Sequence, residues 1–201
     1  MKLAKSLDRL GTETAFSVLA EAKKLEAKGK PMIHLGLGQP DFKTPKHIVD
    51  AAKKALDDGH HGYVLSNGIL ECRQAVTRKI KKLYNQDIDP ERIIIMPGGK
   101  PTMSYAIQCF GEPGVEIVHP TPAFPIYESM INFTGAKPVP YDLTEDKDLK
   151  FNPEKILSLI TEKTKLLILI NPNNPTGSFV DKSDIDVLAC LLYTSPSPRD
   201  S

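Results

Sequence analysis

The chain contains LLILI at residues 166–170, followed directly by NPNNPTG at residues 171–177. Five consecutive aliphatic residues are typical of a β-strand that is buried on both faces of a parallel sheet. Ligands of such sheets bind beyond the carboxyl ends of the strands, which is where the prolines and asparagines begin. An ordinary turn needs one proline or asparagine, whereas this loop has two prolines and three asparagines before Gly177. We therefore interpret residues 171–177 as a functional loop.

Helical and strand patterns alternate along the rest of the chain. Apolar residues spaced three and four apart predict helices at residues 13–28, 45–58, 69–84, 101–110, 125–133 and 153–160. Thr44 is the expected N-cap of the second helix, with Pro45 as its first residue. Short apolar runs predict an extended segment at 32–37 and strands at 93–96, 115–119, 136–141 and 166–170. This alternation predicts an α/β fold with a mostly parallel sheet flanked by helices.

Composition argues against several classes of function. Lys and Arg number 26 and Asp and Glu 25, so no basic surface for nucleic acid or membranes is expected. Charged residues interrupt the first ten positions, which excludes a secretory signal there and makes a cytoplasmic location the default. No metal site is expected, because the adjacent His60 and His61 lack a neighbouring ligand cluster and the cysteines are widely spaced, at positions 72, 109 and 190.

A second polar segment, PGGKP at residues 97–101, follows one predicted strand and begins a predicted helix. Backbone N–H groups and the helix dipole converge at such a point, which favours an anion. Gly98 and Gly99 would let the backbone approach the ligand closely, and Pro101 costs little because N–H groups in the first turn have no helical partner. A tight turn that binds nothing is the alternative interpretation.

Two familiar nucleotide motifs do not fit. A phosphate-binding P-loop would need glycine at Ile94 and serine or threonine at Pro101. The dinucleotide fingerprint that could begin at Gly36 would need glycine at Asp41 and a helix where Pro40 stands. We therefore expect neither ATP nor NAD as the ligand.

Four segments, in this order, resemble the first half of the class I/II aminotransferases, which are pyridoxal-phosphate enzymes with the aspartate aminotransferase fold. They are GQPDF at 38–42 with Thr44-Pro45, Tyr63 with Gly68 ahead of Cys72-Arg73, PGGKP at 97–101, and NPNNPTG at 171–177. The resemblance covers residues 1–189. It implies a fold-type-I transferase with an N-terminal arm and small-domain segment at 1–45, part of the large domain at 46–189, and an aberrant or disordered tail at 190–201.

The same resemblance implies how pyridoxal 5'-phosphate would be held. Gly98, Gly99 and Lys100 correspond to the cup for the cofactor phosphate. Phe124 corresponds to the aromatic residue on the pyridine ring, where well-studied aspartate enzymes have tryptophan, so strict aspartate specificity is not expected. Asn174 corresponds to the asparagine that donates to the phenolic oxygen. The peptides 121–122 and 174–175 are expected to be cis.

Two further residues are assigned by the resemblance alone. Tyr63 corresponds to a tyrosine that reaches the cofactor phosphate of the other subunit, which implies a homodimer. Gly38 corresponds to a glycine that lies against the substrate α-carboxylate. The implied substrates are an amino acid and a 2-oxo acid.

The family's Schiff-base lysine, its pyridine-binding aspartate and its carboxylate-binding arginine all come after the NPNNPTG loop. Lys182 is not a candidate, because its sequence context is that of a capped helix start. No catalytic residue is therefore assigned, and the chain is expected to be a truncated, inactive fragment of a transaminase. A pyridoxal-phosphate lyase of the same fold and a non-enzymatic binding or interaction fragment are the alternatives.

Overall fold

The structure is a computed structural model that describes residues 3–11, 14–36, 38–144 and 148–194. In chain order the elements are α1 (Thr14–Glu26), α2 (Lys46–Asp57), α3 (Leu70–Tyr84), α4 (Gly99–Phe110), β1 (Glu116–Thr121), α5 (Ile126–Thr134), β2 (Lys137–Asp142), α6 (Pro153–Ser158), β3 (Thr164–Leu167) and α7 (Lys182–Thr194). Short 3-10 helices occupy Lys5–Arg9 and Pro90–Arg92. None of the described helices has the length and apolar character needed to span a membrane.

The chain divides into two compact units. One, which we call the sheet unit, comprises Met1–Thr14 and Lys100–Ser201, and the other, the helical unit, comprises Ala15–Gly99. The predicted division at residue 45 stays a prediction. Helix α7 extends to Thr194, and the predicted tail at residues 190–201 stays a prediction. The remainder of the predicted tail, residues 195–201, lies outside the described residues.

The sheet unit is built around β1. The described residues of this unit form three parallel strands in the order β2-β1-β3, so β1 is the central strand. Parallel neighbours that are separated along the chain by helices are what the sequence pattern predicts for an α/β fold. This part of the prediction is confirmed.

Adjacent residues of β1 enter two different cores, because side chains alternate between the faces of a strand. Ile117 packs with residues of α4 and α5, among them Ile107 and Ile131. Val118 packs on the opposite face with residues of β2, α6 and α7, namely Tyr141, Ile156 and Leu188. Each fully buried aliphatic side chain contributes roughly 1.5–3 kcal/mol through removal from water. Double-sided burial therefore makes β1 the most strongly anchored strand.

Two strand predictions need correction. Residues 93–96 are extended but are not part of any sheet that the structure describes, and the hydrogen bond from Ile95 N to Asn67 O is an isolated contact. β3 ends at Leu167, although Ile168 N still donates to Val118 O at 2.9 Å. An apolar run predicts extended structure, whereas a strand requires a neighbour whose backbone pairs with it throughout.

The predicted cap of α2 is wrong, although the helix itself is confirmed. Pro45, not Thr44, is the N-cap, with φ −53° and ψ 138°, and no side chain caps the helix. As is usual for an N-cap residue, the ψ angle of Pro45 is not helical, yet its carbonyl accepts the first hydrogen bonds of the helix, from Ile48 and Val49. The other predicted helices are observed within a few residues of their expected bounds.

Gly68 lies at a close packing contact and beside the buried Arg73 side chain. The Arg73 guanidinium is 2% exposed and donates to Gly68 O at 3.2 Å, to Pro90 O at 3.0 Å and to Glu91 Oε1 at 2.8 Å. Gly68 has a φ of +94°, and a Cβ at this position would lie 2.7 Å from Cγ1 of Ile95. The segment before α3 therefore combines a left-handed backbone with a close contact that excludes a side chain.

Gly68→Ala should lower the free energy of unfolding by about 2–4 kcal/mol, because backbone strain and overpacking both contribute. Gly59→Ala is the matched control, since Gly59 also has a positive φ of +84° but has open space where a Cβ would lie. The free energy of unfolding of the control should fall by only about 1–2 kcal/mol, which is the cost of the backbone conformation alone. Urea unfolding would measure both, and equal losses would contradict the contact argument.

His119 is a buried polar residue on β1. Its side chain is 4% exposed, its Nδ1 lies 3.1 Å from Pro120 O, and its Nε2 has no partner among the described residues. Burial lowers the pKa of His119 from its ordinary value of 6.5, which outweighs the opposing effects of the Pro120 carbonyl and the Glu128 charge. The imidazole is therefore held neutral in the folded protein.

The sign of the resulting pH dependence follows from proton binding. Below pH 6.5 the unfolded chain protonates this histidine before the folded chain does, so acid favours unfolding until the lower folded pKa is also passed. The urea concentration at the unfolding midpoint should therefore be lower at pH 5.5 than at pH 8, and this decrease should be smaller in His119→Leu than in the unmodified protein. The exposed His47→Leu should behave as the unmodified protein does, and a similar acid response in all three would refute the prediction.

Candidate functional site

Two loops of the sheet unit follow its central strand, β1, and one of its outer strands, β3. The first, which we call the β1 loop, comprises residues 122–125 between β1 and α5. The second is the NPNNPTG loop, residues 171–177, which follows β3 and the extended residues 168–170. Both therefore lie beyond the carboxyl ends of parallel strands, the edge at which α/β sheets bind ligands. The predicted position of the NPNNPTG loop, after a parallel strand of the sheet, is confirmed.

Hydrogen bonds within the NPNNPTG loop hold its backbone in a compact turn. Gly177 N donates to Asn173 O at 2.8 Å, and Asn173 N donates to Ser178 O at 2.9 Å. Gly177 has a φ of +71°, a conformation that favours glycine. The Asn171 side chain accepts from Val180 N at 3.2 Å. The peptides 121–122 and 174–175 are cis, as predicted, and 171–172 is cis as well.

Asn174 lies on the exposed side of this loop. Its side chain forms no hydrogen bond to any residue that the structure describes. An amide in this position can donate to a ligand oxygen without first breaking a contact within the protein. The geometry is thus compatible with the role predicted for Asn174.

Lys100 and Phe124, assigned to different parts of the predicted site, are neighbours in the sheet unit. The Lys100 ammonium lies over the Phe124 ring, 5.5 Å from its centroid. A cation at this distance from an aromatic face is stabilised by about 0.5–1 kcal/mol when the site is open to water. Phe124 is half-buried and Lys100 is exposed, so both present surface to solvent. A cationic group and a π-face are therefore brought together.

Gly98 and Gly99 form the turn that begins α4. Gly98 has a φ of +109° and donates from its N–H to Met96 O at 2.8 Å, and α4 begins at Gly99. The left-handed conformation of Gly98 explains the glycine at this position. The anion-site prediction rests on the general rule that N–H groups in the first turn of a helix have no partner within that helix. Residues 93–96, predicted as a strand, form an extended segment outside the described sheet. The glycine turn that begins a helix is observed as predicted.

Tyr63 and Gly38 belong to the helical unit. The Tyr63 side chain is fully exposed, and Gly38 is exposed with no described atom within 4 Å of the place where a Cβ would lie. Crowding among the described residues therefore does not explain the glycine at position 38. The roles predicted for these two residues depend on a partner subunit and on a substrate.

Asn173 has a role that the sequence did not reveal. It is 6% exposed, and its Nδ2 donates to Pro122 O at 3.2 Å and to Thr176 Oγ1 at 2.9 Å. The first bond crosses to the β1 loop, 51 positions away in sequence. The sequence contains three similar asparagines in one loop, and only burial distinguishes this one from the others. No pattern of neighbouring residues could have indicated its partner.

The groups in this region suit pyridoxal 5'-phosphate chemically. An ammonium and a glycine-rich helix N-terminus suit a phosphate, a half-buried phenyl ring suits a heteroaromatic ring, and an exposed amide suits an oxyanion. The donor groups are thus of the right kinds, and the ring and the cation are adjacent. A parallel sheet with helices on both faces, and with the loops that carry Phe124 and Asn174 beyond the carboxyl ends of its strands, is the architecture of the fold-type-I transferases.

The chain belongs to the aminotransferase class I and II family, which it matches over residues 30–194. Aspartate aminotransferase from Bacillus subtilis is 36% identical over 195 residues, which are 96% of this chain and 50% of that protein. The family is pyridoxal-phosphate dependent. The match to residue 194 extends five residues beyond the predicted limit of the resemblance.

Solved structures of the same family have the same fold. Alanine aminotransferase from Pyrococcus furiosus superimposes with a TM-score of 0.90 at 31% identity, covering 96% of this chain and 49% of that one. Aspartate aminotransferase from Thermus thermophilus with maleate also gives a TM-score of 0.90, at 30% identity, covering 96% of this chain and 50% of that one. The chain spans about half the length of the curated relatives it matches.

Proposed function

We propose that this chain supplies part of the pyridoxal 5'-phosphate site of a transaminase. Gly98, Gly99 and Lys100 would bind the phosphate, Phe124 would cover the ring, and Asn174 would donate to the phenolic oxygen. The observation that carries the proposal is the Lys100 ammonium 5.5 Å from the Phe124 ring centroid, in the unit that also contains the NPNNPTG loop. These are the groups that must lie together if one cofactor is to contact them all.

The cofactor, when bound, supplies the electron-withdrawing chemistry at the substrate α-carbon. Lys100 would neutralise phosphate charge, and the lack of side chains at Gly98 and Gly99 would let the phosphate approach the backbone at the start of α4 closely. The Asn174 amide would stabilise negative charge on an oxygen that it faces. Phe124 would exclude water from one face of the ring.

The proposed reaction is transfer of an amino group between an amino acid and a 2-oxo acid. Support comes from the family and from relatives that are named as aspartate and alanine aminotransferases. Phe124 provides an aromatic face without a side-chain hydrogen-bond donor, so the preferred amino acid is not determined at this position.

Two further residues of the helical unit complete the proposal. The full exposure of Tyr63 supports a role in contacting the cofactor phosphate of a second copy in a homodimer. Gly38 would lie against the substrate carboxylate, and the open space around it leaves room for such a ligand. Residues 1–45 would form an N-terminal arm with a small-domain segment, and residues 46–189 part of the large domain.

Titration of the purified protein with pyridoxal 5'-phosphate tests the cofactor site. The visible absorbance of the cofactor should shift on binding, and Lys100→Met should weaken the affinity by about 10- to 100-fold, because a charge-assisted phosphate contact is lost. Asn174→Ala should weaken it by about 3- to 10-fold, as expected for one ordinary hydrogen bond.

Lys79→Met, at an exposed position on α3, is the matched charge control and should bind as the unmodified protein does. Pyridoxal without its phosphate should bind more weakly than the phosphate ester. Equal losses in Lys79→Met and Lys100→Met, or equal affinities for the two forms of the cofactor, would refute the phosphate assignment.

Nitrogen transfer tests the reaction itself. Protein isolated from its natural source should move labelled nitrogen from an amino acid to a 2-oxo acid. Release of labelled ammonia with no labelled amino acid formed would instead indicate a lyase of the same fold.

A further inference from the structure

The Asn173 amide joins the two loops that hold Phe124 and Asn174. Its Nδ2 donates to Pro122 O at 3.2 Å, two residues before Phe124, and to Thr176 Oγ1 at 2.9 Å, two residues after Asn174. The backbone of Asn173 is also held, because its N–H donates to Ser178 and its carbonyl accepts from Gly177. One side chain therefore spans the gap between a rigid turn and the β1 loop.

Burial makes this bridge effective. Asn173 is 6% exposed, so little water competes for the Pro122 carbonyl. Asn173 Oδ1 has no partner among the described residues, so both side-chain contacts are made by the NH₂ group. Thr176 is itself oriented by its contact with Ser178 Oγ at 2.7 Å, which limits the directions in which the amide can point.

Asn171, in the same loop, makes a different kind of contact. It is exposed, and its side chain accepts from Val180 N, nine positions along the same segment. Its described side-chain contact therefore does not reach the β1 loop. The two asparagines have the same chemistry, but only the buried one links the loops.

We propose that Asn173 is a positioning residue that sets the distance between the Phe124 ring and the Asn174 amide. Without its NH₂ group the Pro122 carbonyl loses its side-chain donor, and the β1 loop can move relative to the NPNNPTG loop. The effect on the cofactor rests on the proposed function, whereas the coupling of the loops does not.

Hydrogen exchange of the protein without cofactor tests the coupling. In Asn173→Ala, the amides of residues 123–127 should exchange about tenfold faster, the factor that corresponds to one lost hydrogen bond, while the amides of β2 remain unchanged. Asn171→Ala is the matched control and should leave residues 123–127 unchanged. Asn173→Leu, which keeps the volume but cannot donate, should reproduce the effect of alanine and so exclude a cavity as its cause.

Titration of the same variants with pyridoxal 5'-phosphate tests the consequence. Both Asn173 variants should raise the Kd about tenfold relative to Asn171→Ala, because the ring and amide contacts no longer act together. A uniform rise in exchange that includes β2 would indicate a purely structural role and overturn the proposal. Unchanged exchange at residues 123–127 in either folded Asn173 variant would also overturn it.

The two hypotheses fail separately. If exchange responds as expected but the unmodified protein binds no cofactor, the loop coupling is supported and the proposed function is contradicted. If the unmodified protein binds cofactor and neither Kd nor exchange changes in the Asn173 variants, the proposed function is supported and the positioning role is contradicted.

Discussion

Burial of β1 on both faces is the constraint on which the rest of the sheet unit depends. Ile117 and Val118 are fully buried in separate cores, so this strand cannot shift by one residue without exchanging its two faces. Pairing with β2 and β3 then places the carboxyl end of each strand at the same edge. The loops that follow the strands therefore begin at residues whose positions are fixed by strand pairing and core packing.

Anchored strands position loops but do not determine their conformation. Local hydrogen bonds provide the next level of order, as in the turn that Gly177 closes on Asn173. The amide of Asn173 then connects that turn to the β1 loop. Core packing thus fixes the strands, backbone hydrogen bonds fix the turn, and one buried side chain fixes the turn relative to the β1 loop.

His119, on the strand that the β1 loop follows, is also a buried polar residue but differs from Asn173 in its contacts. His119 is held neutral by burial and serves packing, whereas the NH₂ group of Asn173 has two acceptors. Burial of a polar group is therefore not by itself evidence of function. What distinguishes Asn173 is that its partner lies in a different loop, beside an assigned site residue.

The sequence by itself determined the α/β class, the helices, the position of the NPNNPTG loop and the family. Periodicity, turn residues and ordered motifs are local properties, so they can be recognised without knowing the fold. Only the tertiary structure showed that residues 93–96 pair with no strand that the structure describes, that Pro45 caps α2, and that Lys100 lies over Phe124. It also distinguished Asn173 from its two neighbouring asparagines, because burial and contacts between distant residues arise only when the chain is folded.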